Sequence, residues 1–229
     1  MHLLALSCGN THVDAELQSL TEREGISLRS GPALPAKDVV DPLLAELAEL
    51  DEARLLVHGS DADLASVVLR ILRKDRLGEI TLGYLPADPA SRIARLWGLP
   101  TELGAALRVA RGDGPVGVPL LRDDVGGVLL GHGLISPVKG SAYCDDTHVL
   151  KGAATRLEVS PDPAGGEGLV VRVRRRGLFG RRTIVQPGRA LQLACEPATV
   201  LRDGVPHARL MEKWTWYRHT ADLRLVRSG

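Results

Sequence analysis

Val57-His58-Gly59-Ser60-Asp61-Ala62-Asp63-Leu64 decides the fold. The octet continues the apolar run Leu55-Leu56 and opens a second run from Leu64 to Leu72, an order that reads as strand, tight turn and helix. The first N–H groups of a helix have no partner inside it and carry partial positive charge, so a strand entering a helix is where α/β proteins commonly hold phosphate. This turn has one glycine and two carboxylates, whereas a phosphate cradle uses several glycines and little negative charge. It is built like a nucleotide site and furnished unlike one.

Outward from the octet, the first half repeats the same alternation. His2 to Leu6 reads as a strand, Val13 to Glu24 as a helix and Ile26 to Leu28 as a short strand. Val39 to Leu50 carries Val40, Leu44, Leu47 and Leu50 on one helical stripe. Arg54 to Val57 and Ile80 to Leu85 read as strands, each followed by a helix, over Leu64 to Leu72 and Ala90 to Leu96. Such spacing implies βαβ units and a mainly parallel sheet. Ligands of such sheets sit at the carboxyl ends of the strands, here near residues 7–12, 58–63 and 85–92. From about residue 118 the period changes. Val125 to Ile135, Arg156 to Val159, Leu169 to Arg174, Thr183 to Val185, Ala190 to Ala194 and Leu223 to Val226 are short and separated by Gly, Pro and Asp, as in an antiparallel sheet or sandwich. The expected organisation is an α/β nucleotide-binding-like domain over 1–117 and a β-rich domain over 118–229.

Composition bounds the rest. The 229 residues are 44% hydrophobic and 25% charged, as expected of a globular chain, with a formal net charge of +1 that favours neither nucleic acid nor an acidic partner. Three Trp, three Tyr and one Phe leave the core to Leu, Val, Ala and Ile. The first residues lack the basic region of a signal peptide, and no run approaches the roughly 18 apolar residues of a membrane helix. A cytoplasmic location is expected. Three separated cysteines, Cys8, Cys144 and Cys195, argue against a disulfide framework.

With Gly59-Ser60-Asp61-Ala62-Asp63 in place, the chain resembles the diacylglycerol kinase catalytic family, which includes bacterial lipid kinases and is related in fold to NAD kinases. That family has Gly-Gly-Asp-Gly-Thr at this junction. It has a second loop that begins with Pro, passes through Gly-Thr-Gly-Asn-Asp and ends near Leu-Gly-Ile-Pro. Pro86 to Pro100 keeps that length, with Ala94, Arg95, Gly98 and Pro100 in register. Val125 to Gly133 resembles the strand pair that enters the family's second domain, and Arg202-Asp203-Gly204-Val205 its Asp-Gly-Glu turn. The resemblance implies an α/β domain followed by a β-rich domain, with the last strand returning to the first and a cleft between the two. It implies ATP and magnesium as cofactors. It places Gly59, Ser60, Ala62, Asp63, Ser91 and Arg92 at the nucleotide, Asp61 near metal or phosphate, and Asp203 as the base. No separate metal-ligand set is expected.

The departures carry as much weight. Ser60 and Ala62 stand for glycines, and the β-carbon of Ala62 resists a positive φ by roughly 1–2 kcal/mol. Asp63 stands for Thr and repels phosphate unless a cation bridges them. Ser91-Arg92 replaces the Asn-Asp pair, Pro89 stiffens a Gly-rich bend, and Val205 replaces a Glu and cannot accept a proton. Phosphoryl transfer depends on positioning and charge neutralisation. The leading expectation is a degenerate lipid-kinase-like protein whose cleft binds or regulates. The alternatives are an active lipid kinase, and an interaction module.

That third alternative rests on a predicted hairpin, Val170 to Thr183. Its Arg172, Arg174, Arg175, Arg176, Arg181 and Arg182 ring a Leu178-Phe179 tip, a pattern suited to an anionic membrane surface at the inner membrane face. Solvated edge-strand protection explains the same arginines. Nucleic acid is disfavoured because aromatics for base stacking are missing. A homodimer is the other partner considered. Cys8-Gly9-Asn10-Thr11-His12 and Cys144-Asp145-Asp146-Thr147-His148 share a spacing that would make a zinc site only if the segments met. Glu212 to His219 reads as an aromatic strand over the sandwich core, with Trp214 and Trp216 on one face.

Overall fold

The computed structural model describes residues 1–9, 15–177 and 180–227. The chain divides into two compact units, Met1–Val118 with Asp222–Gly229, and Pro119–Ala221. In chain order the first unit contains β1 (His2–Cys8), α1 (Ala15–Arg23), β2 (Ser27–Gly31), α2 (Lys37–Ala48), β3 (Ala53–Gly59), α3 (Asp61–Arg73), β4 (Thr81–Pro86), α4 (Arg92–Trp97), α5 (Leu103–Arg111) and β5 (Val116–Val118). The second unit contains β6 (Leu121–Asp123), β7 (Val128–Leu129), β8 (Gly133–Ile135), β9 (Val138–Cys144), β10 (Thr147–Ala154), β11 (Arg156–Pro161), β12 (Leu169–Gly177), β13 (Gly180–Gly188), β14 (Ala190–Ala198), β15 (Val200–Arg202), β16 (Val205–Pro206) and β17 (Met211–Arg218). The final strand, β18 (Leu223–Leu225), pairs parallel with β4 and antiparallel with β5 in the first unit.

The first unit is a six-stranded sheet of order β2-β1-β3-β4-β18-β5, parallel from β2 to β18. β3 and β4 are buried along most or all of their length, as strands covered on both faces are. On one face Ala5, Leu56 and Leu85 pack with Leu17 of α1 and Ala106, Leu107 and Ala110 of α5. Gly83 makes this approach possible, because a β-carbon there would lie 2.7 Å from Ala110 Cβ and 2.6 Å from Leu56 Cδ2. The chain leaves β1 toward β2 on one side and returns to β3 on the other. The carboxyl ends of β1 and β3 therefore form the switch point at which such sheets bind ligands.

The second unit is a sandwich of two six-stranded sheets, ordered β10-β9-β14-β17-β6-β7 and β13-β12-β11-β8-β15-β16. Val138, Ala142, Leu191 and Leu193 of one sheet share a core with Leu157, Val159, Val171 and Val173 of the other. Trp214 and Trp216 are almost fully buried in it, as the alternation in β17 predicted.

Several elements differ from their sequence reading. Val125 to Ile135 is two short strands rather than one. Its first residues form the turn after β6, where Asp123 Oδ1 accepts the amides of Val125 and Gly127 at 3.1 and 2.7 Å and Gly126 has φ +84°. The run then breaks at Leu130 to His132, whose amides go to Asp203 rather than to a neighbouring strand. α5 and β5 were not expected. α5 is carried by small and apolar residues, Leu103, Ala106, Leu107 and Ala110, whose helical spacing matters only once Gly83 offers a seat. β9 and β10 were also missed, because Gly, Ser, Lys and His interrupt their alternation. Among the described residues, no helix is long and apolar enough to cross a membrane. Asn10, Thr11 and His12 of the first Cys-x-x-Thr-His spacing, Val13 at the start of the first expected helix, and the Leu178-Phe179 tip of the hairpin lie outside the described residues.

Candidate functional site

β3 ends at Gly59 and α3 begins at Asp61, with Ser60 as its N-cap, as the octet predicted. The turn closes as a capping box. Asp63 Oδ2 accepts the Ser60 amide at 2.8 Å and the Ser60 hydroxyl at 2.7 Å, while the Asp63 amide lies 3.3 Å from Ser60 Oγ. Asp63 Oδ1 accepts the Leu34 amide at 2.7 Å. The Asp63 side chain is thus buried and fully engaged. Gly59 must be glycine, since a β-carbon there would lie 2.8 Å from Asp63 Oδ2 and 3.1 Å from Cys8 Cβ. Ala62 lies in the first turn of α3 with no positive φ, so its β-carbon fits where a phosphate-loop glycine was expected to be needed.

Asp61 joins this turn to the second loop. Its Oδ1 accepts the Ser91 hydroxyl at 2.5 Å and lies 3.0 Å from the Tyr84 hydroxyl, which is also 3.1 Å from Gly59 O. Its Oδ2 accepts the amides of Arg92 and Ile93 at 2.8 and 3.3 Å. Ser91 caps the next amide, that of Ala94, at 3.0 Å. The first three N–H groups of α4 therefore all point at side-chain oxygens of the chain itself, as helix termini require. Burial and the neighbouring Asp61 carboxylate push the Tyr84 hydroxyl well above its ordinary pKa, so it remains a proton donor to Asp61. Cys8, at the end of β1, is pushed up to about 12 by burial and then by Asp63, so its thiol is neutral and inert as a nucleophile.

Asp203 belongs to the second unit. With Gly204 it forms the two-residue turn between β15 and β16, and both residues have positive φ, +45° and +89°. Such turns favour Asp-Gly because each residue tolerates the left-handed region. The buried carboxylate accepts three consecutive amides, Leu130 at 2.8 Å, Gly131 at 2.9 Å and His132 at 2.8 Å. Arg202 steadies the turn from the side through a 2.8 Å ion pair with Asp123, with its guanidinium 5.7 Å above the Trp214 ring.

Gly59, Ser60, Asp61, Ala62, Asp63, Ser91 and Arg92 are thus brought to one end of the first sheet, while Asp203 is a residue of the second unit. Tyr84 and the Leu34 main chain were missed. Tyr84 lies two residues before the end of β4, beside the predicted loop, and a tyrosine near a strand end was the available signal. The amide of Leu34, whose φ is +51°, gave none. Cys8 and Cys144 lie in different units, and Cys144 is buried beside the carbonyls of Gln186 and Pro187.

An open sheet with this strand order, a strand-to-helix turn at its switch point, and a sandwich from which the chain returns to the same sheet define a particular fold. The fold is that of the diacylglycerol and NAD kinases. A diacylglycerol kinase from Bacillus anthracis strain Sterne superposes with a TM-score of 0.67 at 12% identity, over 100% of this chain and 97% of that one. An NAD kinase from Archaeoglobus fulgidus, solved in complex with ATP, gives a TM-score of 0.63 at 12% identity, over 98% and 94%. No family model and no curated protein matches the sequence. Identity this low carries the fold alone.

At this end of the sheet Asp63 adds a carboxylate where the resembled turn has Thr, and the carboxylates of both Asp61 and Asp63 are engaged by donors of the chain. Among the described residues, no group of three or more His, Cys, Asp or Glu side chains is placed to hold a metal.

Proposed function

We propose that this protein is a non-phosphorylating member of the kinase-like fold, acting by binding rather than by turnover. The observation that supports this reading is that both carboxylates of the turn, the kept Asp61 and the Asp63 that stands for Thr, are taken up by donors of the chain itself. The Asp61 carboxylate occupies the amides of Arg92 and Ile93 and takes the Ser91 hydroxyl, so the protein's own anion sits where a phosphate would be received. Asp63 adds a second carboxylate at the neighbouring turn, held by Ser60 and Leu34. A phosphate arriving there meets two like charges and must displace existing charge-assisted hydrogen bonds, each worth about 1.5–3 kcal/mol. Asp203, the acid left in the last turn, is anchored by three amides, which suits a structural acceptor.

The test is thermal unfolding of the full chain with ATP and magnesium, followed by radiolabelled transfer to diacylglycerol. A ligand at a hundredfold over its Kd stabilises by about 2.7 kcal/mol. The expected result is no shift and no labelled lipid. A clear shift together with transfer that disappears in Asp203→Asn would overturn the proposal and restore the lipid-kinase reading.

A further inference from the structure

The arginine-rich hairpin of the second unit is wider than its sequence suggested. β12 and β13 pair from Leu169 opposite Gly188 to Gly177 opposite Gly180, and β12 also pairs with β11 on its other side. Val171 and Val173 point into the sandwich core, so Arg172 and Arg174 alternate onto the outer face. Arg174 stands directly opposite Arg156 of β11 on one side and Thr183 on the other. Arg172, Arg174, Arg175, Arg176, Arg156 and Thr183 line a groove of about 750 Å³. It lies wholly within the second unit.

The groove gathers more positive charge than the protein around it neutralises. The chain as a whole is nearly balanced, at +1. Five of its arginines meet here, and the carboxylate paired with them among the described residues is Glu158. It lies 3.1 Å from Arg174 Nε and 3.6 Å from Arg156, and it also contacts His132 Nε2 at 3.2 Å. Arg172 donates to Ser160 Oγ, a neutral acceptor, at 3.2 Å. The Nε of Arg175 is buried without a hydrogen-bond partner. Like charges directly across a strand pair destabilise it, and Arg156 faces Arg174 just as Arg175 faces Arg182. A buried donor without a partner costs about 1–3 kcal/mol.

Protection of a sheet edge accounts for charges on the outermost strand only. β13 is that edge, whereas Arg156 lies on β11 and Arg172, Arg174, Arg175 and Arg176 on β12, both inner strands. Aggregation control therefore leaves these residues unexplained. A tetrahedral oxyanion accounts for them, because guanidinium groups present planar forks that match phosphate oxygens, and the ligand supplies the missing negative charge. The volume exceeds a single phosphate ion and leaves space for the group that carries it.

We propose that this groove binds a phosphomonoester, presented by a soluble phosphorylated molecule or by a lipid headgroup. The site is separate from the Asp61 loops, and the inference stands whether or not the protein transfers phosphate. Glu158 acts as an internal counter-anion that an incoming phosphate displaces from Arg174 and Arg156. The lining residues include no aromatic side chain on which bases would stack, which disfavours single-stranded nucleic acid.

The test uses the full chain with two probes. Inorganic phosphate is titrated calorimetrically, and phosphatidylcholine vesicles with and without phosphatidic acid are sedimented with the protein. Each probe is repeated with the Arg172→Gln/Arg174→Gln double variant and, in case that variant unfolds, with Arg176→Gln. The expected result is saturable phosphate binding that weakens about tenfold or more in the variants, roughly one lost charge-assisted contact. Glu158→Gln is expected to tighten binding. Co-sedimentation that requires phosphatidic acid and the arginines assigns the lipid source, and phosphate binding without it assigns the soluble one. Absence of binding to both probes, or binding indifferent to all the arginine variants, overturns the proposal. So does tight binding of a single-stranded oligonucleotide that phosphate fails to displace.

Discussion

Replacing Asp61 by alanine separates a structural carboxylate from a catalytic one by the sign of the stability change. The side chain accepts two backbone amides at the start of α4 and two hydroxyls, those of Ser91 and Tyr84. Loss of a helix cap alone costs about 0.5–2 kcal/mol. Loss of an ionised acceptor that leaves buried donors unmatched adds about 1–3 kcal/mol. Asp61 is only partly buried, so water replaces some of these contacts, and the sum expected is about 2–4 kcal/mol. Asp61→Asn keeps one carbonyl oxygen but turns an amide group toward donors, and should lose roughly half of that. The measurement is urea unfolding of both variants, with amide exchange at Arg92 and Ile93 as the local readout. Opening of the α4 terminus by 2–4 kcal/mol corresponds to exchange about thirty to a thousand times faster. Catalytic groups are commonly held against stability, so that their removal leaves a protein as stable or more stable. An alanine variant at least as stable as the wild type, with unchanged exchange at Arg92 and Ile93, would refute the assignment of Asp61 as a cap.

Asp203→Ala should destabilise the second unit by about 2–4 kcal/mol, because three amides, two of them in buried hydrogen bonds, lose their acceptor and alanine tolerates φ +45° poorly. Asp203→Asn should lose less, since it keeps an oxygen and accepts the left-handed backbone; equal losses in a urea titration would count against this account. Asp41 is held down to about 2, from an ordinary 3.8, chiefly by its hydrogen bonds from Arg70. A depressed carboxylate contributes stability that is present above its unfolded pKa and is lost as pH falls through its folded one. The stability difference between wild type and Asp41→Asn should therefore be constant above about pH 4 and shrink between pH 4 and 2; a difference independent of pH in that window would exclude the ion pair as its source.

The alternation of strands and helices in the first half was legible because each element buries its own periodic face, and periodicity is local. The same holds for the Gly59-Ser60 junction, where a strand, a capping serine and an apolar helix follow one another within eight residues. It holds again for Asp203-Gly204, whose residue types suit two consecutive positive φ angles. The resemblance to diacylglycerol kinases rested on such local signals in order along the chain, and the superposition bears out the fold it implied. α5 was illegible for the converse reason. Its small residues are informative only against Gly83, which belongs to a strand some twenty residues earlier.

What the sequence determined by itself was therefore the kind of fold and the positions of its turns, because backbone preference and burial period act over a few residues. Tertiary structure decided what the side chains in those turns do. Asp63 read as a charge that repels phosphate, and packing made it the lock of a capping box that also holds Leu34. Asp61 read as a ligand of metal or phosphate, and the approach of β4 and α4 supplied it with Tyr84, Ser91 and two amides from 23 to 32 residues away. The arginines read as one hairpin, and sheet order added Arg156 and Glu158 from a third strand. Which groups meet across strands depends on the order of the sheet, and no local pattern encodes that order.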